Sequence, residues 1–355
     1  MYNVYLNINR MKNIAFLTLI IFCFSCGRKG EGKDQVIFDR IEYVYNLKSF
    51  IDKNVWVGFD DKKFDVPLIY YTDTSCYVAN PTERFINRYT PNLIFENNHL
   101  KIYETFLLDS VPFHMEVSVS FDSVEDYTYK SPFMKCSSVE ITNKLIPDVP
   151  YTEVWASMIL HEYFHGFQFK HPKFSDYFST TSAYISSDTL RNIYSHNKWF
   201  KEGINKENEL LLSALTSNDS IEISSLISLF FQLREQRRNN TKKLIKFDIK
   251  PIENIYETME GTARYIEYSL YNKLPAKQLT AKLIKSDTLY GSYAYFDNFN
   301  FEEAQWLHKI GRNYFYVTGF NIVRLLDKLK IEYKSRLFNE AGVPLEEILK
   351  TEYGT

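Results

Sequence analysis

The hydrophobic rhythm of the chain changes once, near Pro147 and Pro150. Before that point, residues 36–143 carry short segments of β-branched and aromatic residues broken by Pro, Asn and Asp. Val66-Pro-Leu-Ile-Tyr-Tyr, Leu100-Lys-Ile-Tyr and Met115-Glu-Val-Ser-Val-Ser are the clearest. Such runs predict strands. Residues 115–121 alternate cleanly, which predicts one wet face and one buried face. After Pro150 the apolar residues recur at helical spacing, predicting helices over residues 152–169, 206–215, 221–238, 254–271, 301–309 and 312–329. The expected class is therefore α+β, with a strand-rich region at 36–145 followed by a mainly helical domain at 146–355. No internal repeat is visible.

One further apolar run, residues 14–24, follows Lys12 and is too short to span a bilayer of about 30 Å as a helix. It reads as the core of a signal peptide occupying residues 1–25, and Met11-Lys12-Asn13 reads like a natural start within it. Its end, Cys23-Phe24-Ser25-Cys26-Gly27, resembles a bacterial lipoprotein signal, although Cys23 stands where leucine is usual. That resemblance implies export, acylation of Cys26 and a membrane anchor on the cell envelope. Residues 26–35, polar and glycine-rich, then form a flexible tether. Two cysteines remain beyond it, Cys76 and Cys136. An oxidising compartment permits a bridge between them, and two free buried thiols are equally compatible with the sequence.

Composition narrows the partners. With 45% apolar residues the chain can bury a large core, and a formal net charge of −2 offers no field to recruit a polyanion, so nucleic acid is excluded as a partner. The densest basic run, residues 234–246, reads as a solvated helix end and loop.

Chemistry is carried by His161-Glu162-Tyr163-Phe164-His165. Histidines four apart on a helix project from one face, close enough for both imidazoles to bind one zinc ion. Glu162 between them can take a proton from water activated by the metal and return it to a leaving amine. A match at these three positions arises by accident about once in a hundred chains of this kind, so the surrounding apolar helix adds weight. A catalytic zinc needs a third protein ligand and an open position. Glu260 is the foremost candidate, since the adjacent Gly261 would let the metal-bearing helices approach closely. His171, Glu202 and Glu257 are the alternatives. His171 occupies the place of a third histidine, but Gln168 supplies no glycine to break the helix before it.

His161-Glu-x-x-His165, then Glu260-Gly-x-Ala-x-Tyr-x-Glu, then Tyr316-x-x-Gly319, together resemble the gluzincin metallopeptidases, and most of all their aminopeptidase-N-like branch. The resemblance implies a zincin-like helical catalytic domain with Glu260 as the third zinc ligand. It also implies that Tyr316 is the hydrogen-bond donor to the oxyanion, with Tyr314 and His308 as other donors within reach in sequence. An insertion at about 170–252 must then separate His165 from Glu260. The branch's Gly-x-Met-Glu-Asn segment, which grips a free amine, is absent, so aminopeptidase specificity does not carry over. Arg264 stands where thermolysin-like relatives place a carboxylate that orients a zinc histidine, so that support must be built differently here.

The expectation is a zinc metallopeptidase with one Zn2+ per chain. Its peptide or protein substrate would be aligned by an edge strand of the N-terminal region. Two rivals follow from the same residues: a surface lipoprotein that keeps the fold and metal as a binding or scaffold protein, and a zinc hydrolase of non-peptide amides.

Overall fold

The computed structural model describes residues 33–119, 132–183, 186–273, 282–291, 300–301, 304–340 and 344–353. The expected signal peptide and Cys26 lie outside the described residues. The first element corrects the expectation of a tether running straight into strands: helix α1 spans Lys33–Asn54. Its β-branched and aromatic content suits a strand locally, but Ile41, Val44, Leu47, Ile51 and Val55 are buried at spacings of three and four, and that periodicity prevails.

Six strands follow: β1 (Leu68–Tyr71), β2 (Ser75–Ala79), β3 (Asn92–Glu96), β4 (Lys101–Phe106), β5 (Met115–Ser118) and β6 (Phe133–Ser137). They form one sheet in the order β3-β4-β2-β1-β6-β5. β1 and β6 run parallel, with Leu68 opposite Met134, and every other neighbour is antiparallel. The pleat sorts the side chains. Leu68, Tyr70, Tyr77, Ala79, Met134 and Cys136 join the main core beneath the helices. Ile69, Tyr71, Cys76, Val78 and Phe133 form a smaller core with Phe85 of α2 (Glu83–Tyr89). Cys76 and Cys136 therefore point to opposite faces of the sheet, and both are free, buried thiols.

The rest is helical: α3 (Val139–Leu145), α4 (Thr152–Phe169), α5 (Pro172–Ser182), α6 (Ser187–His196), α7 (Lys198–Thr216), α8 (Ser220–Ile245), α9 (Lys250–Lys273), α10 (Leu283–Ser286), α11 (Gln305–His308), α12 (Tyr314–Lys328), α13 (Lys334–Leu337) and α14 (Leu345–Tyr353). Of the helix expected at 301–309, the described residues show the single turn of α11, and α5 and α6 were not anticipated. α4 is central, and nearly all of its 18 residues are buried. Trp155 Nε1 donates to the Ser137 carbonyl at 2.9 Å and the Tyr163 hydroxyl donates to the Val66 carbonyl at 2.7 Å, fixing α4 against β6 and the entry to β1. No helix among the described residues is long and apolar enough to cross a membrane.

The basic run at the end of α8 is the second correction. Arg234, Arg237 and Arg238 are buried, not solvated. Arg234 makes a bidentate pair with Glu257, both bonds 2.8 Å, and also reaches Glu207 and Glu346. Arg237 binds Glu207 and Glu253, and Arg238 binds Glu253 and Glu346. Four carboxylates from α7, α9 and α14 thus neutralise three guanidiniums, the condition for charges to be kept away from water.

Candidate metal centre

His161 and His165 stand one turn apart on α4, and Glu260 faces them from α9. His161 Nε2 and His165 Nε2 are 3.1 Å apart. Glu260 Oε2 lies 3.4 Å from the first and 3.2 Å from the second. All three residues are buried, and among the described residues they are the group able to hold a metal ion.

The outer nitrogens of the two rings are held as well. His165 Nδ1 is 2.9 Å from Gln168 Oε1. The amide of Gln168 cannot be turned around, because its nitrogen donates to the Met259 carbonyl at 3.0 Å and to Thr262 Oγ1 at 2.8 Å. His165 Nδ1 must therefore carry its proton, leaving a lone pair on Nε2 in the neutral ring. His161 Nδ1 lies 2.5 Å from Glu267 Oε1, off the ideal hydrogen-bond direction but close enough to keep its proton there. Two imidazole lone pairs and a carboxylate oxygen that has no hydrogen-bond partner thus converge on one point. Only positive charge relieves that arrangement. Burial alone would lower the His161 pKa, yet Glu267, Glu260 and Glu162 push it up to about 10. Burial alone would raise Glu260, and the two histidines hold it well below the usual carboxylate range. The same field that retains protons suits a divalent cation.

Glu162 sits between the histidines, half-buried, and burial raises its pKa against the pull of His165 and His161. Tyr316, at the start of α12, stacks parallel to the His161 ring with centroids 6.1 Å apart. Burial, then the charge of Glu260, which its hydroxyl contacts, raises its pKa and keeps it protonated. The alternative residues go elsewhere. His171 stacks on Phe64 at 4.1 Å with its Nδ1 on the Phe167 carbonyl, Glu202 pairs with Lys198 on the surface, and Glu257 is bound to Arg234. Tyr314 is buried on Glu253, and the ring of His308 packs on Phe301.

Gly261 does permit a close approach, but to a different helix than expected. A Cβ there would lie 2.3 Å from the carbonyl carbon of Gly319, and one on Gly319 would lie 2.1 Å from the Glu257 carbonyl oxygen. The contact therefore joins α9 to α12, not to α4. Tyr314 and Thr318 reinforce it through Glu253 and Glu257. α4 has its own glycine contact: Gly166 faces Val66 and Val117, which brings edge strand β5 beside the metal-facing helix.

Glu267 and Gln168 are the residues sequence reasoning left without a role. Glu267 ends the Glu260-Gly-x-Ala-x-Tyr-x-Glu segment, two helical turns beyond Glu260 and hence on the same face. Gln168 is three residues after His165, within reach along α4. The guanidinium of Arg264 lies 5.0 Å from the Tyr316 ring centre and 5.4 Å from that of Trp306.

No protein family matches the chain, and no match was found among curated proteins or solved structures.

Proposed function

We propose that the protein is a zinc metallopeptidase of gluzincin type with a zincin-like catalytic domain, in which His161, His165 and Glu260 hold the ion. One observation carries this reading: three ligand atoms 3.1, 3.2 and 3.4 Å from one another. Bonds of about 2.0–2.1 Å to a tetrahedral zinc set its ligands about 3.3 Å apart, and two imidazoles with one carboxylate is a catalytic zinc set that leaves a position open. Gln168 and Glu267 supply the outer support that such histidines need.

When bound, zinc contributes Lewis acidity, polarising a carbonyl and making water acidic. The chain's own groups do the rest. Glu162, with its pKa raised by burial, takes the proton of the attacking water and delivers it to the leaving nitrogen. The Tyr316 hydroxyl, kept protonated, donates to the carbonyl oxygen as negative charge develops there, a contribution typically worth about 2.7–4 kcal/mol. Among the described residues β5 is hydrogen-bonded only to β6, and we take its other edge, beside α4, as the one along which an extended peptide would add. Acylation of Cys26 would anchor the enzyme to a membrane of the cell envelope, on its periplasmic or cell-surface side, which radiolabelled fatty acid incorporation into wild type but not Cys26→Ser tests.

The decisive variant is Glu162→Gln. It should retain one zinc per chain and lose peptide hydrolysis, and a zinc-loaded Glu162→Gln protein that still cleaves would overturn the mechanism.

A further inference from the structure

Beside the metal centre is a cavity of about 250 Å3 that shares Tyr316 with it. Arg264, Trp306, Lys309, Arg312 and Asn313 line it with Tyr316, so three cations face one space, and among the described residues its lining holds no carboxylate. Several cations elsewhere on the surface have partners: Lys101 pairs with Glu96, Lys250 with Glu347, Lys282 with Glu42 and Arg336 with Glu340. Lys309 and Arg312 are exposed and pair with no described residue. Arg264 spends one terminal nitrogen on the Trp306 carbonyl, while its buried Nε has no hydrogen-bond partner. Like charges gathered without counter-charge repel one another, and the arrangement is relieved when an anion enters.

We infer that this cavity is a substrate subsite that takes a carboxylate close to the scissile bond. The inference rests on the peptidase reading and adds the substrate class: peptides bearing a negative charge within a few residues of the bond that is cut. Arg264 lies one helical turn beyond Glu260, and the Tyr316 ring lies between its guanidinium, 5.0 Å away, and the His161 ring, 6.1 Å away, so an anchored carboxylate would sit within about three residues' length of the reacting carbonyl. The Arg264 guanidinium can donate to it through its other terminal nitrogen, and Lys309 and Arg312 add charge from the rim. The carboxylate can come from an aspartate or glutamate side chain or from the substrate's C-terminus.

Three sets of N-acetylated hexapeptides separate these sources: one with internal glutamate and an amidated end, one with glutamine and an amidated end, and one with glutamine and a free carboxyl end. Binding to the zinc-loaded Glu162→Gln protein is measured by calorimetry, and cleavage by the wild type is followed separately. One of the two anionic sets should bind about tenfold more tightly than the neutral set and be cleaved preferentially, an advantage that Lys309→Glu with Arg312→Glu abolishes. If the glutamate set gains, the source is a side chain; if the free-ended set gains, it is a terminal carboxylate. Equal binding of all three sets, or an advantage that survives the double substitution, would refute the subsite. Charge-selective binding without cleavage of any set would leave the subsite standing and defeat the peptidase reading.

Discussion

Glu267 Oε1 lies 2.5 Å from Nδ1 of His161, while Glu260, seven residues earlier on the same helix, faces the other nitrogen of that ring. α9 therefore grips one imidazole from both sides. Glu267→Gln, which keeps the shape and removes the charge, should weaken metal affinity by about 10–100-fold. Competition against a chelator of known affinity measures it, and an unchanged affinity would mean that Glu267 is a bystander.

The ligand set itself separates by substitution. Wild type should carry one metal per chain, His161→Ala and Glu260→Ala should carry none after dialysis, and His171→Ala should match wild type because its ring is packed among aromatics. Elemental analysis gives both stoichiometry and identity. Iron in place of zinc would direct attention away from hydrolysis, since two histidines and a carboxylate also suit ferrous iron.

Gly319→Ala should be among the most damaging single-methyl changes. Its Cβ would meet the Glu257 carbonyl oxygen at 2.1 Å, so main chain must move where overpacked side chains alone cost about 1–3 kcal/mol. Chemical denaturation should show a loss at or above that range, together with reduced turnover as Tyr316 shifts. A neutral result would mean that α12 slides freely on α9.

The buried ion cluster predicts how the fold fails. Arg234→Ala strands Glu257 and should cost about 3–5 kcal/mol. In acid the sign follows from the carboxylates. Burial alone would raise Glu346, but Arg238 and Arg234 hold it down to about 2, and Glu253 is lowered by Arg237 and Arg238 in the same way. Groups with folded pKa values below the ordinary 4.5 contribute stability that is complete above that pH and lost as pH falls towards 2. Glu257, raised by burial, works in the opposite sense and takes up its proton earlier. Denaturant midpoints from pH 7 to pH 2 should fall below about pH 4.5, and less steeply in Glu346→Gln. A flat wild-type profile would contradict the assignment.

The candidate metal site was legible in sequence because its information is local. His161 and His165 are one turn apart, and Glu260 sits in a recognisable segment. Placing Tyr316 near the histidines needed the family resemblance, since nothing in its own surroundings marks it. The fold class was readable from the switch in periodicity, whereas α1 was obscured because Val36, Ile37, Tyr43 and Val44 favour strands locally. The arginines of α8 were misread for a different reason. Their partners Glu207, Glu253, Glu257 and Glu346 come from three helices spread over some hundred and forty residues, and no pattern along the chain links them. The cysteines could not be assigned until the sheet register put them on opposite faces.

Backbone lies directly on backbone where Gly261 meets Gly319, so the spacing between the helix that bears Glu260 and the helix that bears Tyr316 is set by the thickness of two main chains. A side chain can be trimmed or extended by degrees, but a main chain cannot. This gap has no intermediate settings, so metal ligand and hydroxyl are positioned as a single rigid gauge. On the peptidase proposal, a variant that accepts a bulkier substrate would have to make room on the opposite bank, along β5 and α4, where valine side chains can still be exchanged for smaller ones.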